Sequence, residues 1–130
     1  GFMVKEIFEA HNLLLGFLTE RNQRFVRDIG LSEHLDSTAF CFNTDSGRYV
    51  TLCAEGLPPK EQDFVLAHEL GHIFMGHLTE RRNCTSDEAE HMANIFGAVM
   101  LALSLYDEYK KTEAHTMTAG RDSSEKERGT

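Results

Sequence analysis

Phe64-Val65-Leu66-Ala67-His68-Glu69-Leu70-Gly71-His72-Ile73-Phe74 is an apolar run carrying two histidines four residues apart, with a glutamate directly after the first. Gly56-Leu57-Pro58-Pro59 precedes it and supplies proline where a helix can start. The spacing predicts a largely buried helix from about Pro59 to His77. Residues four apart share one helical face, so the imidazoles of His68 and His72 can reach a single metal ion. Glu69 falls on the flank of that face, where its carboxylate can move a proton instead of ligating. Imidazole and carboxylate around one open position suit zinc, at one ion per chain. Unligated neutral histidines on an apolar helix would need other partners, which argues against a chance motif.

Outward from this helix, Thr38 to Asn43 and Arg48 to Cys53 are β-prone runs flanking Thr44-Asp45-Ser46-Gly47, a hairpin with a short glycine-containing loop. Asp28 to Ser37 reads as a connection. Val4, Ile7, Phe8, Leu14, Leu15 and Leu18 recur at helical spacing, which predicts one amphipathic helix from Met3 to about Arg24. On the other side, Thr79 to Cys84 is a polar loop, and Thr85 followed by Glu88 fits a capping box. That box opens a further helix to about Lys111, and the polar stretch 112–130 reads as a disordered tail. The expected fold is α+β. A single domain over 1–111 packs a small antiparallel sheet on a helical layer that holds the active-site helix, with the sheet edge facing the cleft.

A catalytic site needs a third ligand. A glycine three and a histidine six residues after the second histidine would supply it in one known pattern, but Met75 and Leu78 hold those positions. His77 lies roughly 140° around the helix from His72 and ligates only if the helix ends sharply before it. A helix-end or supporting role is its simpler reading. Cys84 sits in a polar loop with nothing to fix it. Glu88 and Glu90 begin the next helix, a separation that lets an antiparallel neighbour deliver a glutamate. They point about 200° apart, so only one can face the histidine pair.

His68-Glu69-Leu70-Gly71-His72, then His77, then Glu90-His91-Met92-Ala93-Asn94-Ile95-Phe96-Gly97 resembles the ImmA/IrrE metallopeptidases, which are gluzincin-like. Their pattern is HELGH, often a further histidine, then E-x-x-A-N-x-F-A and an apolar L-L-M-P. The resemblance spans roughly 38–102 and selects Glu90 over Glu88. It implies a zinc-dependent endopeptidase in which His68, His72 and Glu90 hold the metal and Glu69 is the catalytic base. Asn94, Ala93 and Phe96 match family positions. Met92 stands where many members carry a second Glu, Gly97 replaces the usual Ala, and Leu103 falls where Pro is expected. The implied biology is a bacterial, cytoplasmic protease that cleaves a helix-turn-helix repressor of a phage or mobile element. The alternative is a non-hydrolytic antirepressor or interaction module that keeps a metal site, which would have no need of Glu69.

Composition agrees. The 130 residues are 41% hydrophobic and 26% charged, enough to bury one core. A net charge of −8 repels phosphate backbones, so direct nucleic-acid binding is not expected, whereas a basic protein substrate is compatible. The apolar stretch Ile95 to Leu105 is too short to span a bilayer, and Lys5, Glu6 and Glu9 leave no room for a secretory leader. Cys41, Cys53 and Cys84 form no CxxC pair and read as thiols in a reducing compartment. His11, His34 and His115 read as surface or boundary residues, Arg81 and Arg82 as a solvated loop. Tyr49, Tyr106 and Tyr109 are candidates for stabilising an oxyanion.

Overall fold

A computed structural model describes residues 2–79, 82–83 and 86–128, with side chains over 4–77 and 86–114. The chain runs through α1 (Phe2–Ala10), β1 (Leu14–Phe17), α2 (Glu20–Asp28), a 3-10 turn (Ser32–His34), β2 (Ala39–Asn43), β3 (Tyr49–Cys53), α3 (Pro59–Phe74), β4 (Leu78–Thr79), β5 (Arg82–Asn83) and α4 (Asp87–Arg128). The fold is α+β, and His68, Glu69 and His72 lie on α3.

The sheet has the order β1-β3-β2-β5-β4. β2 and β3 form the expected hairpin in antiparallel register, with Ala39 opposite Cys53 and Asn43 opposite Tyr49. The sheet is not purely antiparallel, because β1 joins the outer edge of β3 in parallel, Leu14 beside Val50 and Phe17 beside Cys53. Such a pairing needs a long crossover, here supplied by α2, the 3-10 turn and β2.

That strand comes from the stretch read as one helix from Met3 to Arg24. Asn12 breaks the helix by adopting φ +54°, a conformation that asparagine tolerates better than most residues. The Asn12 N–H donates to Glu9 O and the Leu13 N–H to Phe8 O, which closes α1 in a Schellman turn. The Thr19 hydroxyl then accepts from the Asn22 N–H and starts α2. Helix α2 closes in the same way through Gly30, at φ +81°, whose N–H donates to Arg27 O while the Leu31 N–H donates to Val26 O.

Both faces of the hairpin are covered. Ala39 and Cys53 pack under α3 with Val4, Phe8, Leu66, Ala67 and Leu70. Phe40, Phe42 and Leu52 pack on the opposite side with Leu18, Val26 and Leu31. Burial on both faces explains why Ala39-Phe40-Cys41-Phe42 is continuously apolar instead of alternating. Cys41 and Cys53 are buried in the hairpin.

Three further expectations are revised. The polar segment after α3 carries the strands β4 and β5, each two residues long and so too short to show a periodicity. The α4 cap is Ser86, whose hydroxyl accepts from the Ala89 N–H; Arg81, Cys84 and Thr85 lie outside the described residues. Helix α4 runs on past Lys111, with its backbone helical through Arg128. No proline interrupts it, and Lys111 pairs with Asp107 at 3.1 Å one turn earlier.

Candidate metal centre

The site exists because α3 and α4 cross closely. At Gly71 an added Cβ would stand 3.1 Å from the Ala93 Cα and 3.1 Å from the Phe96 Cβ, close enough that the α4 backbone would have to give way by a few tenths of an ångström. Gly97 answers from α4, where an added Cβ would stand 3.3 Å from the His68 nitrogen. Two glycines and Ala93 therefore let one helix backbone rest on the other, and Glu90, one turn before Ala93, and Asn94, directly after it, reach the histidine face of α3.

His68 Nε2 and His72 Nε2 stand 3.0 Å apart. The Glu90 carboxylate bridges them, with Oε2 3.0 Å from His68 Nε2 and Oε1 3.2 Å from His72 Nε2. A tetrahedral zinc ion with bonds of about 2.0 Å spaces its ligand atoms about 3.3 Å apart, so this two-nitrogen, one-carboxylate triangle fits one with small adjustment. His68, Glu69 and His72 also offer ligand atoms within 4.8 Å of one another. Glu69 is buried beside the group, whereas Glu88 is exposed.

Each imidazole has a second contact on its other nitrogen. His68 Nδ1 lies 2.8 Å from Asn94 Oδ1, one turn along α4 from Glu90. His72 Nδ1 lies 3.0 Å from His77 Nδ1. His77 thus sits on the side of His72 that faces away from His68 and Glu90. Helix α3 does end before it, at Phe74, yet the chain brings it behind the His72 ring instead of beside the two Nε2 atoms and the Glu90 carboxylate. Burial pushes His72 down to about 4; the Glu90 carboxylate opposes this, and His68 and His77 reinforce it. A neutral imidazole with Nδ1 engaged presents Nε2 as a free electron pair. Burial also pushes the Cys53 thiol up, with the charge of Glu69 adding to the effect.

An open cavity of about 450 Å³ lies over this group. His68, Glu69, Glu90 and Asn94 line it, together with Thr38, Ala39 and Phe40 at the start of β2. In the sheet β2 lies between β3 and β5, and among the described residues it meets β5 at Phe42, opposite Arg82. The cavity also takes in His34, which stacks on Phe40 with ring centroids 5.2 Å apart. Its sequence neighbours Ser32, Glu33 and Asp36 are those of an ordinary loop, and only the 3-10 turn reveals its place. None of the candidate tyrosines lines the cavity. Tyr106 and Tyr109 are exposed on distant turns of α4, and Tyr49 begins β3 at the other end of the hairpin.

No curated protein and no solved structure matches the chain. Residues 11–121 match the family model described as the IrrE N-terminal-like domain, a peptidase family. The match takes in β1, the hairpin, the histidine helix and the segment of α4 that delivers Glu90 and Asn94. The chain therefore belongs to the IrrE N-terminal-like peptidase family, Peptidase M78.

Proposed function

We propose that this family member is a zinc-dependent endopeptidase in which His68, His72 and Glu90 hold one ion and Glu69 is the general base. The observation that carries the reading is the convergence of both Nε2 atoms on the Glu90 carboxylate, beside a buried Glu69 and under an open cavity. A zinc ion held there supplies a Lewis acid for a peptide carbonyl and lowers the pKa of water. Glu69 accepts a proton from the attacking water and returns it to the leaving amine nitrogen. The substrate backbone lies along Thr38, Ala39 and Phe40, which line the same cavity as His68, Glu69 and Glu90. Asn94 holds the His68 ring by accepting its Nδ1–H.

The substrate is a helix-turn-helix repressor of a bacterium or phage, cut in the cytoplasm without contact to nucleic acid or membrane. The net charge of −8 supports a basic protein partner. Among the described residues no helix is long and apolar enough to cross a membrane. The test compares wild type with Glu69→Gln beside the repressor. The variant should keep one zinc per chain and lose about a hundred- to ten-thousand-fold in cleavage rate. His72→Ala and Glu90→Ala should lose the zinc, and Glu88→Ala should keep it. Derepression by Glu69→Gln without repressor fragments would replace the endopeptidase with a binding module.

A further inference from the structure

Helix α3 ends in a Schellman turn. Gly76, at φ +72°, donates its N–H to Ile73 O, and the His77 N–H donates to His72 O at 2.9 Å. In this turn the residue after the left-handed position lies over the residue five before it, and the pair is usually apolar. The other two helices whose ends are described follow that habit. Leu13 lies over Phe8 at the end of α1, and Leu31 over Val26 at the end of α2, each pair within one apolar cluster. At the end of α3 the same two positions hold His77 and His72, with ring centroids 5.2 Å apart.

We propose that His77 is a positioning residue for the metal ligand His72, with its Nδ1 accepting the Nδ1–H of His72 so that Nε2 is left free and aimed at the metal. The proposal rests on the reading of His72 as a ligand. Three observations carry it. His72 is fully buried, so without an acceptor its Nδ1–H would be a buried donor with no partner, a costly arrangement. The contact joins Nδ1 to Nδ1 at 3.0 Å, which places His77 behind the ligand and out of the triangle. The second imidazole ligand receives the same treatment, since His68 Nδ1 is held by Asn94 Oδ1. Each ring thus has its Nδ1 engaged and its Nε2 turned to Glu90. For His72 the acceptor is supplied by the turn that ends its own helix. A leucine there would satisfy the turn, as it does twice elsewhere in the chain; it would leave the His72 donor unpaired.

The test measures zinc affinity by chelator competition and, separately, denaturant unfolding of the metal-free protein. In the metal-free protein His72 can carry its ring proton on Nε2 beside the Glu90 carboxylate. His77→Leu, which keeps the apolar contact that the turn ordinarily makes, orphans no donor there, so the unfolding midpoint should not fall. Its zinc affinity should fall about 10- to 100-fold, the range expected for loss of a partner to a ligating imidazole. His77→Asn places an oxygen at the same number of bonds from Cα as Nδ1, and it should recover most of that loss. Wild-type zinc affinity in His77→Leu would overturn the proposal. So would equal losses in the Leu and Asn variants, or a fall in affinity matched by a fall in the unfolding midpoint. His72→Ala is the control: if it retains zinc, the ligand assignment itself fails, whatever His77 does.

Discussion

Leu31 over Val26 and His77 over His72 occupy the same two places in the same kind of helix ending, yet they serve different ends. The first pair is sealed in the core between α2 and the sheet. The second borders the ligand group and stands next to solvent, with His77 half-buried and Met75 and Gly76 exposed. The backbone hydrogen bonds are alike in both, so the turn fixes where the side chains go without fixing what they do. A device that elsewhere secures a helix by apolar contact is here available to hold a polar ring, at some cost in apolar burial.

The comparison can be broken most forcefully at its apolar member. Leu31→Ala should cost about 2–5 kcal/mol in unfolding free energy, while zinc affinity of the folded protein stays at the wild-type value in chelator competition. A parallel loss of affinity would mean that the two helix endings are not independent.

Acid should separate the pair next. The pKa of folded His72 is pushed down to about 4 from its ordinary 6.5. Between those values the unfolded chain binds a proton that the folded one refuses, so stability is full above 6.5 and is lost as the pH falls toward 4. In metal-free protein, hydrogen-exchange protection of the His77 amide should therefore decline through this window before that of the Leu31 amide. Equal decline at both amides would contradict the assigned burial of His72.

The smallest effect concerns the backbone alone. An added Cβ meets nothing within 4 Å at Gly30 or at Gly76, so alanine at either strains only the left-handed conformation. Gly30→Ala and Gly76→Ala should each cost about 1–2 kcal/mol in denaturant unfolding. Only Gly76→Ala should also weaken zinc binding, by shifting His77 off His72.

What the sequence disclosed follows the same division between repeated and singular signals. The histidine helix is legible because its apolar run, its proline start and its four-residue spacing all report one element. The hairpin is legible from two β-prone runs around a glycine-containing loop, and the structure gives both strands. The segment from Met3 to Arg24 misled because Leu13, Leu14 and Leu15 fit a helical period and a strand equally well. The decisive residue was Asn12, a single side chain in a left-handed conformation with no periodicity of its own. The parallel pairing of β1 with β3 joins residues far apart in the chain and leaves no local trace. At the site, the pair four apart is legible from its spacing, and Glu90 stands out from Glu88 only through family resemblance; the structure sets the Glu90 carboxylate beside both rings. The contact of His77 with His72 depends on a turn closed by Gly76, and His34 reaches the cavity through a 3-10 turn; neither carries a motif.

The two thiols beneath α3 bear on which metal the group can select. Cys41 lies under the Glu69 carbonyl, its Sγ 4.0 Å from that oxygen, and Cys53 is fully buried with its thiol pushed up. Soft monovalent copper is drawn to thiolate, and peroxide reacts with thiolate far faster than with thiol. By keeping Cys53 protonated, burial and the Glu69 charge make that sulfur a poor partner for either. The side chains that α3 and α4 bring to the cavity then offer nitrogen and oxygen, with the Cys53 sulfur protonated behind α3.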